Sequence, residues 1–225
     1  MVRAVGGRDD EISRRALAEL CELYWYPLYA FLRRRGYDSH PARDMTQGFI
    51  VSLLEKGSIS NADQDKGRFR SFLLGSLNNY VANQVRHDNA LKRGGGVSLF
   101  SIDADDAEQR YGREPADVNT PERIFERRWA LTILDSVWQR LRETYAGEDR
   151  AELFDAISGH VGQVNASVPY RDIAARLGMT EGAVKVAAHR LRRRYREMLR
   201  TEVAQTLAST EDIDDELTLL LKAVR

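Results

Sequence analysis

The sequence predicts an all-α protein built from two small helical domains, a flexible linker and a short helical tail. Apolar residues recur at three- and four-residue spacing through most of the chain. Only 5 prolines interrupt 225 residues, and Ala, Leu, Arg and Glu are abundant. One stretch, 92-KRGGGVSLFSIDADDAEQRYGREPADVNTPE-122, lacks a sustained period and carries a glycine triplet, acids and two prolines. That stretch divides the chain into a domain at 1–92, a linker at 93–120, a second domain at 121–202 and an acidic tail at 203–225.

Each element has its own signal. From Ser13 to Arg35, Leu17, Leu20, Leu23, Tyr24, Leu28, Phe31 and Leu32 share one helical face. Pro27 predicts a break or kink inside that helix and Gly36 a stop. A second helix begins near Pro41, turns Met45, Phe49, Ile50, Leu53 and Leu54 inward, and ends by Gly57. The polar stretch 58–67 reads as a loop. The third helix has Phe69, Phe72, Leu73, Leu77, Tyr80, Val81 and Val85 on its apolar face. Two helices follow, around Pro121–Thr144 and Asp149–Gly159, and an amphipathic acidic segment, 213-IDDELTLLLKAV-224, closes the chain.

Charge narrows the function. Lys and Arg total 34 and so do Asp and Glu, so no net field draws the protein to polyanions. The balance hides a separation: arginines crowd 185–200, while acids gather at Asp9, Asp10 and Glu11 and again at Glu211, Asp212, Asp214, Asp215 and Glu216. Cys21 is the only cysteine, which excludes intrachain disulfides and cysteine-based zinc sites. The apolar run 49-FIVSLL-54 is far too short for a membrane span, and no secretory signal opens the chain, so a cytoplasmic location with no membrane partner is expected.

The stretch 169-PYRDIAARLGMTEGAVKVAAHRLRRRYREML-199 carries the sharpest pattern. A helix-turn-helix needs a small residue where its helices cross and a residue tolerant of positive φ in the turn. Ala174 and Gly178 meet those needs. Ile173, Leu177, Met179, Val184, Ala188 and Leu191 fall where they share one core, and Thr180 is suited to cap the second helix. The outward set is then Glu181, Gly182, Lys185, Val186, His189, Arg190 and Arg193, joined by Thr180 at the helix start. Lys185, His189 and Glu181 suit base edges, while Arg192, Arg193, Arg194, Arg196 and Arg200 suit phosphates. The plainer alternative is a helical hairpin with a solvated basic surface. In the third helix, 66-KGRFRSFLLGSLNNYVANQVRHDNALKR-93 sets arginine, asparagine and histidine beside an aromatic face, a mixture suited to single-stranded DNA.

Together these segments resemble the sigma-70 family of RNA polymerase sigma factors, in its small extracytoplasmic-function type, from about Ser13 to Arg200. The stretch 69-FRSFLLGSLNNYVANQVRH-87 is similar to the family's region 2 without a gap: Phe69, Arg70, Phe72 and Leu73 match its opening, Asn79 its asparagine and Arg86 its basic end. The stretch 172-DIAARLGMTEGAVKVAAHRLR-192 follows the family's region 4 helix-turn-helix. The resemblance implies a protein that binds core RNA polymerase and promoter DNA, with no cofactor, metal, small-molecule substrate or chemistry of its own. It implies that Arg68, Arg70, Asn78, Asn79, Asn83 and Arg86 serve the −10 element and the second helix of region 4 the −35 element. Polymerase docking falls to 42-ARDMTQGFIVSLLEK-56, with Asp44, Thr46 and Gln47 as contacts.

Departures from the family set further expectations. Ala187 stands where arginine is common and Val186 where a small polar residue is. Gly75 and Asn78 stand where basic residues are frequent, and Arg43 and Gly48 where the docking helix keeps acids. Phosphorylation of Thr46 by a Ser/Thr kinase would add roughly −1.5 to −2 charges to that depleted patch. An anti-sigma protein, or the acidic tail acting as a latch, are rival controls. The rival function is a free-standing helix-turn-helix regulator that binds an operator without polymerase. An enzyme is not expected: His40, His87, His160 and His189 lie on separate elements, and the glycines at 94–96 lack the spacing of a phosphate loop.

Overall fold

A computed structural model describes residues 23–55, 68–90, 104–113, 120–161, 168–207 and 212–224. The start of the first expected helix, Gly57, the loop at 58–67, Cys21 and the glycine triplet lie outside the described residues. Among the described residues the secondary structure is helical throughout, with no strand. The elements are α1 (23–34), α2 (Ser39–Glu55), α3 (Phe69–Ala90), α4 (Ala104–Gly112), α5 (Pro121–Gly147), α6 (Ala151–Ile157), α7 (Tyr170–Leu177), α8 (Glu181–Ala204) and α9 (Ile213–Ala223). A 3₁₀ turn, Ser158–His160, continues α6. The chain forms two compact units: the first is Met1–Thr132 with Val203–Arg225, the second Ile133–Glu202. The division therefore falls inside α5, not at the expected boundary near 120.

In the first unit, α1 is helical through Pro27, so of the expected break or kink the helix shows no break. Proline inside a helix costs about 3 kcal/mol. Here Tyr24, Trp25, Leu28, Tyr29, Phe31 and Leu32 around it are all buried, and that packing outweighs the lost amide donor. Gly36 does end the helix, at φ +94°, with the Gly36 amide donating to the Arg33 carbonyl and the Tyr37 amide to the Leu32 carbonyl. Phe49, Ile50 and Leu53 of α2 and Phe69, Leu73, Leu77 and Val81 of α3 are buried at helical spacing. Val85 lies on the same face by sequence but is exposed. At the start of α5, Thr120 accepts the Arg123 amide on its hydroxyl at 3.2 Å and the Ile124 amide on its carbonyl, so Pro121 occupies a first-turn position. Trp129 of α5 is buried and donates its indole N–H to the Tyr24 hydroxyl at 2.9 Å.

The expected linker contains a docked helix. Glu108 of α4 accepts the Tyr29 hydroxyl at 2.5 Å and the Nε and Nη2 of Arg33, at 3.1 and 2.6 Å. Arg110 lies 4.2 Å from the centre of the Tyr26 ring, and Ala107 is buried. Burial works to raise the Glu108 carboxyl, but the hydrogen bonds from Arg33 and Tyr29 outweigh it and hold the group below its ordinary range. Burial, with Glu108 beside it, pushes the Tyr29 phenol up.

The second unit has one core. Leu141 and Tyr145 of α5, Phe154 and Ile157 of α6, Ile173 and Ala174 of α7, and Val184, Ala187, Ala188 and Leu191 of α8 are buried together. Trp138 packs against it, 5.1 Å from the Phe154 ring and edge-on to Tyr195 at 5.6 Å. Burial, with Asp135 adding, pushes the Tyr195 phenol up to about 12.

Candidate nucleic-acid interface

The turn between α7 and α8 is built as its residues require. Gly178 ends α7 at φ +63°, and its amide and that of Met179 both donate to the Ala174 carbonyl. Ala174 itself is buried, so the small side chain sits in the crossing. Thr180 caps α8: its hydroxyl accepts the Ala183 amide at 3.2 Å and its carbonyl the Val184 amide at 3.1 Å. With Val184, Ala187, Ala188 and Leu191 committed to the core, the opposite face is dictated by helical geometry.

Glu181, Gly182, Lys185, Val186, His189, Arg190 and Arg193 are all exposed on that face, with Thr180 exposed at its head. Val186 is 50% exposed, an apolar side chain amid polar ones. Lys185 pairs with Glu181 at 2.6 Å and Arg193 with Glu197 at 2.8 Å, both one turn apart. Such exposed pairs are weak and exchange readily for other anions. Two of the arginines expected at phosphates behave otherwise. Arg192 donates to the His160 carbonyl at 2.9 Å and the Tyr170 hydroxyl at 3.1 Å, and Arg194 pairs with Glu148 at 2.9 Å. They tie α8 to its own unit. His160 is buried and stacked on Tyr170, with ring centres 4.2 Å apart; its Nε2 has no hydrogen-bond partner among the described residues.

In the first unit, α3 separates its expected contacts into two groups. Asn78, Asn79, Asn83 and Arg86 are exposed. The Asn78 carbonyl oxygen accepts from Arg35 at 2.5 Å, and the two side chains line an open cavity of about 640 Å³ with Tyr37, Val85 and Glu122. Arg35 and Glu122 carried no signal in the sequence, because neither belongs to the α3 pattern. Arg70, by contrast, is only 7% exposed. Its guanidinium donates to Glu216 of α9 at 2.6 Å and lies 4.8 Å from the centre of the Trp129 ring. Arg68 lies 3.0 Å from the other oxygen of Glu216. Where both arginines were expected to serve a DNA strand, a carboxylate from the tail lies against them.

The α2 contacts also divide. Asp44 is exposed, 3.8 Å from Arg43, while Gln47 is half-buried. Thr46, expected as a phosphorylation site within the acid-depleted patch, is fully buried and donates its hydroxyl to the Ala42 carbonyl at 2.7 Å. Gly48 has a packing reason. A Cβ at that position would run into the Tyr80 hydroxyl, which also accepts from Gln84, and the Tyr80 ring packs on Phe49 at 5.8 Å.

Among the described residues no group of three or more His, Cys, Asp or Glu side chains is placed to hold a metal ion. No described helix is long and apolar enough to cross a membrane. Compared with known proteins, the chain matches no family model, no curated protein and no solved structure.

Proposed function

We propose that this protein is a sigma factor: it binds core RNA polymerase and directs it to promoters through two DNA-contacting helices. The observation that carries the reading is the left-handed Gly178 turn followed by the Thr180-capped α8, whose outward face is Glu181, Lys185, Val186, His189, Arg190 and Arg193. In this reading α8 lies in the major groove at the −35 element. Lys185 and His189 reach base edges, Val186 meets a thymine methyl, and Arg190 and Arg193 meet phosphates. The exposed asparagines of α3 with Arg86 hold splayed bases at the −10 element.

Asp44 contributes to polymerase docking on α2. Arg43 and Gly48 leave that helix poor in acid, which a phosphate on Thr46 would offset. Because the Thr46 hydroxyl is buried against the Ala42 carbonyl, a kinase reaches it only after that turn of α2 rotates or opens. The test is a titration of core RNA polymerase with the unmodified chain and with Thr46→Glu, alongside a promoter duplex alone. Tight polymerase binding by the unmodified chain supports the sigma reading, and binding by Thr46→Glu alone supports a phosphorylation switch. Tight duplex binding with no affinity for polymerase in either form overturns it in favour of a free-standing regulator.

A further inference from the structure

The strongest polar anchor of the tail is the carboxylate that fills the arginines at the start of α3. Glu216 is 1% exposed, with one oxygen 2.6 Å from the Arg70 guanidinium and the other 3.0 Å from Arg68. The second oxygen lacks a well-aligned hydrogen bond. Leu220, one turn on, is fully buried, while Asp214, Asp215 and Leu221 are exposed. The Phe69 amide donates to the Thr206 carbonyl at 3.3 Å, so the chain leaving α8 also lies against the first residue of α3.

An anchor of this kind holds a helix specifically without holding it strongly. Removing a carboxylate and a guanidinium from water costs most of what their attraction returns. Glu216 shows that cost: burial pushes its carboxyl up ahead of the opposing pull of Arg70 and Arg68, and Glu126 and Asp212 push the same way. A phosphate offers the same two arginines more acceptor oxygens while leaving them partly in solvent. The exposed Asn79, Asn83 and Arg86 continue along the same helix, Asn79 standing about 14 Å from Arg70 at the helical rise.

We propose that Arg68 and Arg70 form a site for a backbone phosphate of single-stranded DNA that Glu216 fills in the free protein, so that α9 is a strap that leaves before the strand is held. The proposal rests on the reading of α3 as a strand-binding helix. Its test uses the full chain, the Glu216→Ala variant and a chain lacking 208–225, each with a labelled single-stranded deoxyoligonucleotide carrying a −10-like sequence, with and without core polymerase. Anisotropy gives affinity, and hydrogen exchange in α9 gives attachment of the strap. The expected result is binding about tenfold tighter, or more, for Glu216→Ala and for the shortened chain. One added phosphate contact steepens the salt slope by about 0.7. In the unmodified protein, oligonucleotide accelerates exchange in α9; this measurement needs no variant and decides the matter if the shortened chain fails to fold. Equal affinities with α9 still protected while the strand is bound overturn the strap and leave the strand-binding reading standing. Absence of binding by every form, with polymerase present, overturns both.

Discussion

Two basic helices of this molecule hold their arginines in opposite conditions. In the second unit, α8 puts Arg190 and Arg193 into solvent, and the carboxylate nearest Arg193, Glu197, comes from the next turn of the same helix. In the first unit, α3 begins with Arg68 and Arg70, and their carboxylate, Glu216, comes from an element 146 residues away from Arg70 in the chain. The first kind of pair is a feature of one exposed face. The second is a tertiary contact that covers guanidinium groups from a distant part of the chain. Arginine content alone therefore says little about a nucleic-acid face; the origin of the counter-charge says more.

The contrast is broken most sharply by truncating Arg70 on α3 and by blocking the glycine turn that leads into α8. Arg70→Ala leaves Glu216 buried without its closest partner, and a loss of about 3–5 kcal/mol in unfolding free energy is expected from chemical denaturation. Gly178→Val attacks the other helix through its turn. A β-branched side chain at φ +63° is strained, costing about 1–3 kcal/mol, and thermal melting with duplex-binding measurements should show both stability and affinity falling.

Acidity sharpens the same contrast between clamps. Glu216 sits above its ordinary range, burial being the main cause, so it binds a proton more tightly when α9 is docked than when it is not. Its contribution to docking is fully present at acid pH and fades as pH rises through the raised value. Glu108 sits below its ordinary range, because its bonds from Arg33 and Tyr29 outweigh burial, so its contribution is present above the ordinary range and is lost as pH falls through the lowered value. Hydrogen exchange followed across the carboxylate range should show α4 loosening on acidification and α9 tightening. The smallest effect is at Arg193→Ala, where stability should stay within about 0.5 kcal/mol while duplex affinity falls and the salt slope drops by about 1.

Legibility in the sequence followed the range of the forces involved. The Ala174–Gly178–Thr180 turn was readable because its needs are local: a small side chain, a positive φ and a capping hydroxyl within seven residues. The buried face of α3 was readable from spacing at Phe69, Leu73, Leu77 and Val81, but Val85 was not, because burial of a fifth position depends on what lies opposite it. The helix α4 spans only Ala104–Gly112, too short for a period to register. Arg192 and Arg194 read like their neighbours, and only the positions of His160, Tyr170 and Glu148 in space turn them inward. Glu216 looked like one acid among five. Nothing near it in sequence marks it as the buried one.

Gly48 ties surface charge to the spacing of two helices. With the Tyr80 hydroxyl where a Cβ would stand, α2 cannot gain a carboxylate at that position without displacing a ring that also supports Phe49 and Gln84. Acidity on this face of α2 is therefore not freely adjustable by substitution. An engineer wishing to raise it must work at exposed neighbours such as Asp44's side of the helix, or accept a wider gap between α2 and α3.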